Sequence, residues 1–528
     1  MNRKIKTALA AATIFLAAAL SNGAAAQSRS DAQGVLFNRD VMTIADLGTL
    51  SQSSTIFGTA RAMGLGGAIT SLGGDATSMI ANPAGMAMSK GREISFTPSF
   101  NFGDGSFSMD INNLAATTSI IPKSSGSILN LNIGVGYTKV ADHNYNFGYS
   151  KSGASSNVAN LFSEQLNSNG ILLDDLQGTD YPDWNTLQTR LWGAALGYKG
   201  GMSDYDNGTW SPTWLSSSAL TEQNLHVESR GATNDISANF SANLSNKLYL
   251  GVGVSVVTVD QSMDIMYNES YSNNNLSTSA LLYSEYNQAI VISGAGANVK
   301  FGATYRPIPA LRVAVAYHTP TYFSVERQYQ ASVGTISDTD GTTTTIISDS
   351  PVIEDSGRQK WQFSTQSKLL TGISYTFGQR ALLSFDYQRD WYGQIKMSEM
   401  PSGVDATLYD GIDQLYQAVN TFRLGGEFRL TPQFALRGGY GFSTAMVRSD
   451  VTASDLLGIS TMDKMQYFTA GVGYSVTNNL AFDVTYMNMT RNSSSYTSFY
   501  GTSADAQSEI YSSKLNNNTI AISMSLKL

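Results

Sequence analysis

The sequence predicts an all-β protein: an antiparallel transmembrane β-barrel of fourteen strands with an N-terminal hatch inside its lumen. Three observations lead there. The chain opens with an export signal, long runs alternate large apolar with small or polar residues, and short turns alternate with long polar loops.

Arg3, Lys4 and Lys6 form a charged start, Ala8 to Leu20 an apolar stretch, and Ala24-Ala25-Ala26 a small-residue cleavage site before Gln27. Residues 1–26 therefore read as a secretory signal peptide, the apolar stretch being too short to span a bilayer with those flanks. A buried N-terminal helix is the competing reading. After Gln27 no apolar run of about 18 residues occurs. Such a chain enters a membrane as a closed barrel, because only helices and barrels satisfy every backbone polar group in lipid. The expected destination is the outer membrane of a Gram-negative cell.

Composition agrees. Charged residues make up 14% of the 528, against about 25% in ordinary soluble domains. A net charge of −8 offers no basic face to phosphates, so no nucleic-acid partner is expected. With no cysteine, disulfide scaffolds, thiolate zinc sites and cysteine nucleophiles are excluded together.

Five segments share one layout, an alternating run, a short polar turn and a second run: Phe240 to Leu248, Tyr305 to Leu311, Phe377 to Ala381, Phe428 to Phe434 and Tyr474 to Leu480. Pro, Asn and Gly occupy the tips, as tight hairpin turns demand. The strands that leave keep a period of two. Leu311, Val313, Val315 and Tyr317 face one way, and Arg312, Ala314, Ala316 and His318 the other. Leu383, Phe385 and Tyr387 alternate with Ser384, Asp386 and Gln388, and Leu480, Phe482, Val484 and Tyr486 with Ala481, Asp483, Thr485 and Met487. A one-residue slip would exchange the faces, so the pattern also sets the register. A soluble sandwich or solenoid with one wet face has the same alternation; run length and the export signal favour the membrane.

Strands are expected near 92–102, 107–119, 128–141, 222–243, 248–268, 287–305, 311–330, 355–377, 381–396, 418–430, 434–449, 463–476, 480–492 and 508–528. The connections at roughly 142–221, 269–286, 331–354, 397–417, 450–462 and 493–507 are polar and would face outward. In the first of these, Val158, Leu161, Phe162 and Leu166 have helical spacing, as do Leu187, Leu191, Ala194, Ala195 and Tyr198. A pair of amphipathic helices over the barrel mouth, or a partly disordered loop, would account for it.

Residues 27–91 precede the barrel of 92–528 and are dense in small residues. A phosphate-loop reading fails, since Ile69 stands where the third glycine belongs and no Gly-Lys-Ser/Thr follows. A compact lumenal plug fits better. Asp75 is placed to cap a short helix through Ile80, and Asn82-Pro83 to stop it. Arg61, buried in such a plug, needs a carboxylate, either Asp75 or an inward-facing wall acid such as Asp386 or Asp483, unless it reaches periplasmic water.

The stretch from Gly58 to Met86 has an Ala60-Arg61-Ala62-Met63-Gly64 core, a Gly74-Asp75-Ala76 step and an Asn82-Pro83-Ala84-Gly85 end. It resembles the N-terminal hatch of the long-chain fatty acid transporter family, which includes aromatic-hydrocarbon uptake proteins of the TodX type. The resemblance implies a monomeric fourteen-stranded barrel that passes hydrophobic small molecules by diffusion. The ligand would dock among extracellular loops, enter a pocket and leave sideways through a gap in the wall. Its surroundings would be outer-membrane lipid and lipopolysaccharide. Asn82, Pro83 and Ala84 carry over residue by residue, and with Arg61, Asp75 and Gly85 they form the candidate hatch and gating set.

Enzyme chemistry has little support. The three histidines, His143, His226 and His318, form no His-Glu-x-x-His, and no Gly-x-Ser-x-Gly elbow is present. Asp338-Thr-Asp340-Gly341 lacks the bidentate glutamate of a calcium loop and reads as a loop tip. No catalytic residue, metal or cofactor is expected. The alternative function is that of an adhesin or structural surface protein working through its extracellular crown.

Overall fold

Fourteen antiparallel strands close into one barrel. The computed structural model describes residues 41–528 except 54–56, 104–105, 121–125, 155–156, 178–183, 185–186, 188–190, 217–218, 275, 277–278, 350–358, 403, 405, 450, 452–463 and 497–509. The expected signal peptide, 1–26, lies outside the described residues.

The strands are β1 (Arg92–Gly103), β2 (Ser106–Ile120), β3 (Ile128–Asp142, continued by Tyr145–Ala154), β4 (Leu220–Leu244), β5 (Leu248–Ser272), β6 (Ser279–Ile308) and β7 (Leu311–His318, continued by Tyr322–Thr339). There follow β8 (Gln359–Ser364, continued by Lys368–Phe377), β9 (Ala381–Trp391), β10 (Ala418–Arg429), β11 (Phe434–Ser443), β12 (Met465–Ser475), β13 (Leu480–Tyr496) and β14 (Ile510–Lys527). Neighbours in sequence pair as hairpins, and β14 returns to β1 with Glu93 opposite Lys527 and Phe102 opposite Asn518. Closure removes both sheet edges, which lipid would leave without hydrogen bonds.

The faces fall as the alternation predicts. Val313 and Val315 are each 44% exposed, while Ala314 and Ala316 between them are 5% and 1%. Phe482, Val484, Leu383 and Phe385 point outward; Asp483, Thr485, Ser384 and Asp386 are buried inside. Tyr317, Tyr440 and Tyr486, each six residues above its turn, are exposed on the outer wall. Six residues rise about 20 Å, so these rings stand at a similar distance from their turns. Among the described residues no helix is long and apolar enough to cross a membrane.

Several strands run further than apolar alternation indicates. β5 reaches Ser272 and β6 starts at Ser279, and β7 forms a hairpin with Thr342–Asp349 whose tip holds Asp340 and Gly341 at positive φ. Backbone pairing continues where the wall leaves lipid, but there both faces are polar and the apolar signal fades. β3 likewise continues beyond the boundary at 142, its second piece pairing with β4.

The N-terminal segment forms α1 (Ile44–Leu50), α2 (Ala60–Gly64), α3 (Ser78–Ala81) and a 3-10 turn at Pro83–Met88. After β3 come α4 (Val158–Ser168) and α5 (Trp192–Lys199). Both cap helices stand where the spacing suggests, though α5 begins after Leu187 and Leu191. Phe162 of α4 packs edge-on to Tyr286 of β6 at 5.2 Å, and Trp192 of α5 lies 6.2 Å from Tyr329 of β7. One apolar cluster joins these helices, α1 and wall residues such as Trp361 and Phe363, so the core fills the outer half of the barrel.

Candidate functional site

The N-terminal segment meets inward-facing residues all round the barrel. Thr43 and Asp46 close a capping box that starts α1, and Ile44, Leu47 and Leu50 bury its apolar side. Past α1, Ser51 O accepts from Gln366 Nε2 of the wall at 2.8 Å, and Ser53 Oγ donates to Asp390 at 2.7 Å. α2 is capped by Thr59, whose hydroxyl accepts from Ala62 N and lies 2.8 Å from the Asp75 carboxylate. Thr70 N then donates to Asp386 on β9 at 2.8 Å.

The candidate hatch residues separate into two groups. Asn82 ends α3 in an extended conformation, accepts from Ala84 N at 3.1 Å and donates to Thr70 O at 2.7 Å and to Thr304 Oγ1 of β6 at 3.1 Å. Pro83 and Ala84 lie so close to Gly251 of β5 that a Cβ there would overlap them. Gly85 donates to Asn82 O and accepts from Gly74 N, closing the turn. Asp75 holds Thr77 N at 2.8 Å just ahead of α3, so it fixes the approach to the helix without capping it.

Arg61 lies with the opposite wall. Its Nε is 3.3 Å from Glu427 on β10, and Glu427 also takes Arg437 at 2.9 Å, which in turn binds Asp483. Enclosure works against the guanidinium charge, but Glu427, Asp75 and Asp483 outweigh it and hold Arg61 charged above its ordinary range. The hydrogen-bonded carboxylate is an inward-facing wall acid, Glu427, while Asp75 and Asp483 act on Arg61 by charge alone. Asp386 is used by Thr70 and Asp483 by Arg437, and Glu427 stands at the height of α2 because Gly439 lets Gly66 touch the wall there.

Among the described residues the ladder between β2 and β3 is incomplete. β2 pairs with β1 along its length, but with β3 only from Asn113 opposite Thr138 to Ile120 opposite Leu131. Residues 106–112 have no ladder toward β3. There β3 bulges between Lys139 and Ala141 and breaks at His143-Asn144. Gly231 of β4 makes the break: its φ of 142° suits only glycine, its N–H donates to Asn144 Oδ1, and its carbonyl accepts from His143 N, each at 3.0 Å. His143 Nε2 lies 2.8 Å from Thr233 Oγ1, so this ring braces the bend.

Behind the bend is a lumenal cavity of ≈ 80 Å³, reached by Val140 of β3, by Leu50 to Ser53, and by Ile80 and Ala81 of α3. Its far side carries Lys300 paired with Asp235, His318 facing Ala81 O, and Lys368. A water occupies about 30 Å³ of liquid, so the cavity has room for a few waters and too little for an aromatic ring. Among the described residues no group of His, Asp and Glu is arranged to hold a metal ion.

No family model and no curated protein matches the sequence. Solved structures do. A FadL homologue of Pseudomonas aeruginosa superposes with a TM-score of 0.51 at 11% identity, covering 90% of this chain and 99% of that one. The chain has the FadL-type barrel fold. The Ralstonia pickettii toluene transporter TbuX (TM-score 0.47, 14% identity, 90% and 99% covered) and the CymD monoaromatic hydrocarbon channel (0.47, 11%, 91% and 99%) are further matches. At such identities the fold is what these proteins share.

Sequence reasoning missed α1, the place of the wall break and the choice of Glu427 among the wall acids. Thr43-x-x-Asp46 with Ile44, Leu47 and Leu50 is a legible helix start. Gly231 inside a long alternating run was the available sign of a bend. Alternation marks Glu427 only as an inward-facing charge, and its pairing with Arg61 spans 366 residues of chain.

Proposed function

We propose that the protein is an outer-membrane channel for passive uptake of hydrophobic small molecules, fatty acids or aromatic hydrocarbons, and not an enzyme. The observation that carries this is the wall between β2 and β3: a stretch without a backbone ladder, bent by Gly231, with a lumenal cavity directly behind it. An apolar solute crosses a lipopolysaccharide layer poorly. A protein path collects it outside and releases it sideways into hydrocarbon with no energy source. The toluene and monoaromatic-hydrocarbon channels of like fold support the same reading.

In this reading the N-terminal segment is the hatch. Asn82, Pro83, Ala84 and Gly85 anchor it to β5 and β6, Arg61 to β10, and Asp75 holds α2 and α3 together. The chain works as a monomer in outer-membrane lipid and lipopolysaccharide, reached through a cleaved signal peptide.

Uptake of a radiolabelled fatty acid and of toluene by cells with and without the gene tests it. Faster uptake with the gene is expected. Equal uptake of both would favour a crown of α4 and α5 that serves adhesion or surface structure.

A further inference from the structure

Resting on the sideways-release reading, we propose that Lys139 gates the opening: paired with Asp110 it ties β3 to β2 where the ladder is missing, and loss of that pair opens the wall. Lys139 is 1% exposed, and its Nζ lies 2.8 Å from Asp110 Oδ2 on β2 and 2.9 Å from Asp142 Oδ2 on its own strand. Asp110 is held from its own side by Asn101 Nδ2 of β1 at 2.6 Å and by Ser108 Oγ at 3.1 Å. The carboxylate thus belongs to the β1–β2 hairpin and the ammonium to β3. Asn144 Nδ2 also donates to Ser108 Oγ across this stretch, at 3.4 Å. Where the β2–β3 ladder is missing, side chains hold the two strands.

Each member of the pair has a second partner. If β2 and β3 part, Lys139 keeps Asp142, and Asp110 keeps Asn101 and Ser108. Opening therefore strands no buried charge, which is what usually makes breaking a buried pair so costly. Lys139 also lies over the Phe57 ring, 5.5 Å from its centroid, between α1 and α2. The residue that closes the wall therefore touches the N-terminal segment. Beyond it, Phe107 and Met109 present apolar side chains 71% and 66% exposed toward lipid.

The chain has no cysteine, so Asp110→Cys with Lys139→Cys introduces the only two thiols. A short bis-methanethiosulfonate linker joins them reversibly. Full-length protein in cells is assayed with radiolabelled toluene. Asp110→Asn, and the double variant before linking, should raise uptake several-fold with heat resistance on a gel unchanged. Linking should abolish uptake and dithiothreitol should restore it. Uptake at the wild-type rate in both Asp110→Asn and the unlinked double variant, with linking still blocking, overturns the gate and leaves sideways release standing. Uptake undiminished by the link overturns both.

Discussion

Asn82 of the N-terminal segment donates to Thr304 Oγ1 of β6 at 3.1 Å, and the same amide donates to Thr70 O at 2.7 Å. One side chain ties two stretches of the segment to one point of the wall. Asn82→Ala leaves a buried hydroxyl and a buried carbonyl short of a donor, at a cost of about 1–3 kcal/mol. The variant should remain a heat-resistant barrel on a gel but conduct ions more readily in planar bilayers. Gly302→Val attacks the same contact from the wall, because a Cβ at Gly302 would overlap Asn82 Oδ1. Conductance at the wild-type level in both variants would show that this contact does not seal the lumen.

Glu427 and Arg61 are unequal partners. Glu427 is 6% exposed and holds Arg437 as well, whereas the Arg61 side chain is 26% exposed. Glu427→Ala leaves Arg437 with Asp483 alone and Arg61 without its hydrogen-bonded carboxylate, and should cost about 1.5–3 kcal/mol. Arg61→Met removes a partly solvated, screened charge and should cost about 1 kcal/mol or less. Urea titration of barrels refolded in liposomes measures the difference. Equal losses would mean that the two pairs are not energetically distinct.

The outer wall offers a direct test of the faces. Val315→Arg, on the lipid side, should cost about 2–4 kcal/mol if it lies near the midplane. Ala314→Ser, its inward neighbour, should be nearly silent. Folding yield into liposomes reads both, and a Val315→Arg protein folding as well as wild type would reverse the assigned faces.

Glu269 fastens the cap. It is fully buried and accepts from Val158 N at the start of α4 at 3.0 Å, from Tyr267 at 2.6 Å and from Tyr271 at 2.7 Å. Glu269→Ala leaves those donors unmet, so α4 should detach from β5 while the barrel persists. Limited proteolysis of the folded protein should then cut between Ala154 and Leu220 several-fold faster. Unchanged cleavage would place the anchor of the cap in its apolar contacts instead.

Strand number, face and register were legible in the sequence because they depend on neighbours two residues apart. Val313 and Val315 against Ala314 and Ala316 already state which side meets lipid. Turn chemistry located the near-side hairpins, and helical spacing located α4. The small-residue stretch from Gly58 to Met86 also announced a segment apart from the strands, since glycine and alanine there leave room for close backbone approach to the wall. What the tertiary structure alone decided is which distant groups share the lumen. Glu427, Arg437 and Asp483 read on their own strands as inward-facing charges; only barrel closure brings them to Arg61. Lys139 and Asp110 sit in separate runs with no common motif, and their pairing depends on a break in β3 imposed by Gly231 on a third strand. Alternation reports the polarity a side chain faces. It carries no information about which polar group faces it from across the barrel, because that distance is set by strand tilt, closure and the shape of the segment folded inside.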